Sequence, residues 1–362
     1  MIPFTIISIL LVSSIVSIFT ILPRMGKKPA GEKLEKVSQS DNFRDGYFQN
    51  PVTTLMDRPP FEALREMMKR GGERLPARPI ETLPIDTERY ISAAPGEVLI
   101  TWLGHSSFLM RIEGVNLLID PVLSTRASMS RFMGPKMFDY THKHTIDEFP
   151  PIDLVLLSHD HYDHLDYDLI KQLGSKVKQF FVPLGVASHL EHWGIDASKI
   201  GEFDWWDEVD FNGLKFTATP GRHFTGRTLN DRFKTLWCGW AIKGEGHNLY
   251  YSGDSGYYNG FKAIGERLGP FDLAMVECGQ YSRFWPNIHL MPEESVQVAL
   301  DVNSRMAMPI HWGKFRLSQH NWNEPPKRFT AAAREHKLQA VIPIIGQTFT
   351  LNDAPLDNWW KE

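Results

Sequence analysis

Six consecutive residues, His159-Asp160-His161-Tyr162-Asp163-His164, place three imidazoles and two carboxylates in one short stretch. They follow the apolar run Leu154-Val155-Leu156-Leu157. Imidazole nitrogen and carboxylate oxygen bind Zn²⁺, Mn or Fe tightly while leaving coordination positions for water. The spacing H-x-H-x-D-H after a buried strand would present those ligands from a rigid edge, where a metal site is best built. A single histidine there would read as part of a solvated loop; this density of ligands reads as a metalloenzyme.

More candidate ligands stand in the same relation to apolar runs. His223 ends Thr219-Pro220-Gly221-Arg222-His223. Asp254 follows Leu249-Tyr250-Tyr251 within Ser252-Gly253-Asp254-Ser255-Gly256, where glycine lets the backbone turn sharply beside a ligand. His311 closes Met306-Ala307-Met308-Pro309-Ile310 and precedes Trp312-Gly313. Each alone would serve equally well as a turn or capping residue. Four strand-end sets together point to convergence on one site.

The elements that must hold these residues alternate with turn signals. Strands are expected at 98–102, 107–112 and 115–119, the last two closing a hairpin at Glu113-Gly114, and the last ending at Asp120-Pro121. A strand-helix-strand stretch covers 154–157, 169–173 and 180–182. Further strands are expected near 214–219, 237–243, 248–252, 272–276, 306–310 and 340–344. Tyr257 to Leu268 and Glu293 to Asn303 have helical spacing, as does Phe61 to Arg70 near the N-terminus. A β-rich chain with interspersed helices suggests two sheets covered by helices, rather than one all-parallel sheet.

This arrangement resembles the metallo-β-lactamase superfamily. Within it, Thr101-Trp102-Leu103-Gly104-His105, Asp120-Pro121, Met133-Gly134-Pro135-Lys136, Phe181-Val182-Pro183-Leu184-Gly185, Gly253-Asp254-Ser255-Gly256-Tyr257 and His311-Trp312-Gly313 are similar to the N-acylphosphatidylethanolamine phospholipase D family. The likeness runs from about residue 45 to about residue 350. It implies an α/β fold, an αββα four-layer sandwich carrying two Zn²⁺ (Mn or Fe would also suit the donors). It assigns His159, His161 and His223 to one ion, Asp163, His164 and His311 to the other, and Asp254 as the bridge. Two cations about 3.5–4 Å apart can share a hydroxide and clamp the oxygens of an in-line displacement. The implied reaction is hydrolysis of the phosphodiester between a glycerol backbone and an amide-capped ethanolamine, releasing phosphatidic acid, with Asp163 and His289 at the reacting centre.

His289, in Asn287-Ile288-His289-Leu290, matches a family histidine near the metals, and would donate to a phosphoryl oxygen or to the leaving group. His105 would either orient a ligand or pack. Glu277-Cys278 departs from the family pattern, which is apolar there, and Tyr281 to Asn287 matches only in aromatic character. His142, His144, His189, His192, His247, His320 and His336 read as surface residues. Trp205-Trp206, Trp237, Phe284 and Trp285 would line an acyl-chain groove or fill the core.

Bulk properties narrow the alternatives. A net charge of −4 leaves no electrostatic footprint for nucleic acid. Two cysteines, Cys238 and Cys278, are too few for a disulfide framework. Ile2 to Leu22 carries no charge, and its 21 residues would span about 31 Å as a helix, near the roughly 30 Å of a bilayer core. No basic start or small-residue cleavage site marks it as a signal peptide. Arg24, Lys27, Lys28, Lys33 and Lys36 follow it, which under the positive-inside bias places the remainder in the cytoplasm. The expected organisation is a membrane anchor at 1–23, a polar tether at 24–60 and a hydrolase domain at 61–362, meeting a phospholipid substrate at the membrane; a homo-oligomer is left open. The competing enzyme reading is a lactonase or another ester or phosphodiester hydrolase on the same fold. An HD-type phosphohydrolase needs an all-helical setting, and a tethered metal-binding scaffold would not need all seven ligands.

Overall fold

Sixteen short strands carry the fold among the residues described by this computed structural model, namely 19–55, 61–62, 65 and 73–361. Phe43–Arg44 (β1) and Tyr47–Phe48 (β2) form a small hairpin. Leu99–Trp102 (β3), Phe108–Ile112 (β4), Val115–Ile119 (β5), Leu154–Leu156 (β6), Gln179–Pro183 (β7) and Ile200–Phe203 (β8) build one sheet. Glu208–Phe211 (β9), Leu214–Thr219 (β10), Gly239–Lys243 (β11), Asn248–Tyr251 (β12), Phe271–Glu277 (β13), Ser304–Ile310 (β14) and Gln339–Ala340 (β15) build the other. The chain then returns through Thr348–Phe349 (β16) to pair with β3. The spatial orders are β16-β3-β4-β5-β6-β7-β8 and β9-β10-β11-β12-β13-β14-β15. Each sheet passes from three antiparallel pairings to three parallel ones.

Period-two alternation explains why both faces of each sheet are covered. Phe108, Met110 and Ile112 of β4 join Leu117, Leu154, Phe216, Trp240, Met275 and Met306 in a core shared by the two sheets. The intervening Leu109, Leu118, Val155 and Phe180 face outward onto Leu169, Ile170 and Leu190 of helices Tyr167–Leu173 and Ala187–His192. On the second sheet, Ala274 and Val276 pack beneath Ile264, Val296 and Phe329 of helices Gly260–Leu268, Pro292–Asp301 and Glu324–Glu335. Helix, sheet, sheet and helix are therefore the four layers expected.

Two N-terminal expectations meet different outcomes. The first eighteen residues of the expected anchor, and most of the expected helix Phe61 to Arg70, lie outside the described residues. No helix among the described residues is long and apolar enough to cross a membrane. Residues 24–55, expected within a polar tether, lie along the body, as does Pro23 before them. Trp193 Nε1 donates to Pro23 O at 2.7 Å, Arg227 Nη2 to Arg24 O at 2.7 Å and Phe48 N to Phe233 O at 2.9 Å. Arg24 pairs with both oxygens of Asp168 at 2.7 and 2.8 Å. Polar composition signalled an absence of core, but not an absence of polar partners.

Candidate metal centre

Every candidate ligand leaves the end of a strand, because the carboxyl edges of both sheets meet at one rim. His105 follows β3, Asp120 follows β5, His159 to His164 form the loop after β6, His223 follows β10, Asp254 follows β12, and His311 follows β14. Three of these non-glycine residues occupy the left-handed region, His105 at φ 56°, Asp120 at 39° and His311 at 67°. Such conformations persist only where surrounding structure enforces them. At Gly253, φ is 59°, and an added Cβ would sit 2.6 Å from Cys238 O, so the turn presenting Asp254 has room only for glycine.

The seven residues, joined by His105, converge as two adjacent sets. His159, His161, His223 and Asp254 each offer a ligand atom within 4.8 Å of the others, and so do His105, Asp163, His164 and His311. Asp254 reaches both: its Oδ2 lies 3.2 Å from His164 Nε2, 3.7 Å from His223 Nε2 and 3.9 Å from His159 Nε2, while its Oδ1 lies 3.2 Å from His311 Nδ1. Oδ2 of Asp163 lies 3.5 Å from His164 Nε2 and 4.0 Å from His311 Nε2. Around an ion with bonds of about 2.0–2.1 Å, neighbouring ligand atoms are separated by roughly 3.4 Å.

These donors are placed to hold metal ions. His164 Nε2, His311 Nε2 and Asp254 Oδ1 are buried without a hydrogen-bond partner, an arrangement that is costly unless a cation completes it. Burial holds His159, His161, His223 and His311 below the usual histidine range, which keeps their lone pairs available. Burial pushes Asp254 and Asp163 up, but His164 and its neighbours more than reverse this, leaving both anionic. Burial likewise pushes His164 down, yet Asp254 and Asp163 override it, a field that favours positive charge at this spot.

Residues behind the ligands fix their orientation. Asp120 Oδ2 accepts from His164 Nδ1 at 2.7 Å and from the Tyr251 hydroxyl at 2.6 Å, and Asp120 also accepts from Ser158 N at 2.7 Å. Ser158 Oγ in turn lies 2.9 Å from His159 Nδ1. His223 Nδ1 donates to Ile288 O at 2.8 Å, and Ser106 Oγ lies 3.0 Å from His311 Nδ1. His105 is fully buried and donates from Nε2 to Asp163 Oδ2 at 2.8 Å, so orientation is its role rather than packing. Asp160, within the motif yet outside both sets, accepts from Gly226 N at 2.8 Å, Thr235 Oγ1 at 2.7 Å and His189 Nε2 at 3.1 Å.

His289 lies beside the sets, its ring 5.1 Å from that of His223 and stacked on that of His311 at 5.3 Å. Its Nδ1 makes a short hydrogen bond with Glu277 Oε1. Burial pushes Glu277 up to about 8, and Glu277 overturns the downward push of burial on His289.

A cavity of about 240 Å³ opens onto the ligands; its wall includes Leu55, Phe224, Arg232, Trp285, Leu317 and His289. Leu55 arrives from the N-terminal segment. Asn50 Nδ2 donates to His223 O at 2.8 Å, Arg222 Nη2 to Thr53 O at 3.1 Å, and Asn287 Nδ2 to Leu55 O at 3.2 Å.

Several residues expected at the surface are elsewhere. His144 and His189 are buried, because each answers a buried polar group: Leu83 O lies 2.9 Å from His144 Nε2, and Lys27 N donates to His189 Nδ1 at 2.9 Å. His320 is stacked on Tyr281 and accepts from Gln280 N at 2.9 Å. Trp205 and Trp237 are buried against each other in the core, with ring centres 5.8 Å apart, whereas Trp285 reaches the cavity. Sequence reasoning gave no role to Asp120 or Glu277. The strand-end rule that found Asp254 would have found Asp120 after Val115 to Ile119.

Comparison with known proteins agrees with this geometry. Residues 115–312 match the family model of the beta-lactamase superfamily domain. An uncharacterised protein of Mycobacterium tuberculosis is 39% identical over 332 residues, covering 89% of this chain and 88% of its own. The N-acyl-phosphatidylethanolamine-hydrolyzing phospholipase D 1 of Caenorhabditis elegans is 38% identical over 239 residues, covering 63% of this chain and 67% of its own. Among solved structures, a metallo hydrolase from the archaeon Ignicoccus hospitalis superposes with a TM-score of 0.55 at 20% identity, over 70% of this chain and 97% of its own, which establishes likeness of fold.

Proposed function

This chain belongs to the beta-lactamase superfamily, and we propose that it is a metal-dependent hydrolase cleaving N-acylphosphatidylethanolamine-like phospholipids by phospholipase D chemistry, yielding phosphatidic acid and an N-acylethanolamine. The observation carrying this reading is that one cavity joins the metal-ready cluster to an apolar wall of Leu55, Phe224, Trp285 and Leu317. An amphiphile with an anionic centre matches that division. The relative in C. elegans that bears this activity in its name supports the same substrate class.

A pair of divalent cations bound here would polarise a phosphoryl oxygen and make water nucleophilic near neutral pH. The chain's own residues do the rest. Arg232, beside Phe224 and Phe233 in the wall, places positive charge where a phosphodiester would sit. His289, at the cavity edge, can donate to the departing oxygen when its ring carries the proton. The apolar wall excludes water from the acyl side and orients the diester.

The test is mass spectrometry of products from a defined N-acylated phospholipid, with and without chelator, beside a lactone panel. Chelator-sensitive release of phosphatidic acid is expected; turnover of lactones with no phospholipid cleavage would replace this reading with the lactonase one. The uncharged run at 2–22 is proposed to tether this activity to a membrane with the domain in the cytoplasm, which raises the effective concentration of a lipid substrate. Recovery of full-length protein in the soluble fraction would refute the tether.

A further inference from the structure

Glu277 is the last residue of β13 and is wholly buried. A buried carboxylate is retained only with partners, and this one has two of different kinds. One oxygen bonds His289 Nδ1; the other accepts from the backbone N–H of Ser255 at 2.8 Å. Ser255 directly follows Asp254, so the carboxylate ties the turn that presents the shared ligand to the loop that presents His289. Its own backbone is clamped as well: Glu277 N donates to Ser252 Oγ at 2.9 Å, and Ser295 Oγ donates to Glu277 O.

We propose that Glu277 is a positioning residue for His289, fixing the tautomer in which Nδ1–H is held by the carboxylate and Nε2 faces the cavity. This rests on the phosphodiester reading given above. The device is a carboxylate-imidazole pair, in which the carboxylate orients the ring and steadies the imidazolium without itself taking the proton. In the reaction, water oxygen bonds phosphorus and the bond from phosphorus to the leaving oxygen breaks. Its electron pair stays on that oxygen, which takes the Nε2 proton. A proton released by the attacking water restores the ring, so nothing is consumed beyond water. The Nδ1 proton stays on the ring, hydrogen-bonded to Glu277, throughout.

An alkoxide leaving group needs that proton, whereas p-nitrophenoxide does not. The wild type, Glu277→Gln, Glu277→Asp and His289→Ala are to be compared on a diester with an alkyl leaving group and on bis(p-nitrophenyl) phosphate, with metal content measured for each. For Glu277→Gln, kcat on the alkyl diester should fall about 100-fold, the usual worth of a placed general acid, with KM little changed. The p-nitrophenyl diester should lose less than threefold, both metals should remain, and Glu277→Asp should recover part of the loss. Equal losses on both diesters would overturn the proposal, and so would full activity in Glu277→Gln or departure of an ion, which would make Glu277 a ligand. The ring is also read without turnover: ¹⁵N-histidine NMR should show the Nδ1–H form of His289 in the wild type and its loss in Glu277→Gln. A wild type that cleaves neither diester, yet shows this signature, would sink the substrate reading and keep the pair; absence of the signature would sink the pair.

Discussion

Removing single ligands should release ions in a set order, because only Asp254 is assigned to both ions. Asp163→Ala or His164→Ala should leave one ion per chain, the one beside His159, His161 and His223, as counted by metal analysis after dialysis; two ions retained in both variants would refute the assignment. Asp120 touches no substrate, yet it accepts from His164, Tyr251 and Ser158 together. Asp120→Asn should therefore weaken metal affinity by about 10- to 100-fold, measurable by competition with a chelator. The ligands themselves were legible because an H-x-H-x-D-H run and strand-end histidines advertise their chemistry in residue type. Asp120 and Glu277 were not, since a single carboxylate carries no such signal until the fold shows what it faces. His144 and His189 misled for the complementary reason: a histidine that satisfies one buried carbonyl or amide looks, in sequence, like any surface histidine.

Turns and the N-terminal segment are where elements decide the site. Gly253→Ala would force a left-handed φ on alanine and drive its Cβ to 2.6 Å from Cys238 O. A loss of about 1–3 kcal/mol is expected, seen as a lower Tm together with reduced metal occupancy, because Asp254 is the next residue. Arg222 holds Thr53 O and Thr54 Oγ1, and so holds the segment that brings Leu55 into the cavity wall. Arg222→Ala should raise KM about tenfold with kcat kept, the worth of roughly 1.5 kcal/mol for one charge-assisted hydrogen bond. An unchanged KM would show that the segment is a bystander. The strands from β3 to β7 and from β10 to β14 were readable from alternation and turn residues. Ile200–Phe203, Glu208–Phe211 and Thr348–Phe349 were not, being short and half polar at sheet edges, where pairing and not pattern makes the strand. The helix Glu324–Glu335 was hidden by Pro325 and Pro326, which read as breakers but occupy its first turn, where proline is tolerated.

Taken whole, the molecule closes two sheets over one core and gathers their carboxyl edges at one rim. Burial holds His144, distant in sequence from every ligand, down at about 4. The unfolded chain takes that proton near 6.5, so its contribution to stability is complete above that pH and is lost as pH falls towards 4. Relative to His144→Gln, the wild type should lose on the order of 3 kcal/mol between pH 7 and pH 4, read from urea denaturation at each pH. The central claim is that donors converging from separate strands hold cations that make this chain a hydrolase. The most direct measurement is the activity of one purified preparation on an N-acylated phospholipid as its metal is removed and restored, with ions per chain counted alongside. Two ions, loss of phosphatidic acid release on removal and recovery on restoration are the outcome this account requires; full hydrolysis by metal-free, folded protein would contradict it.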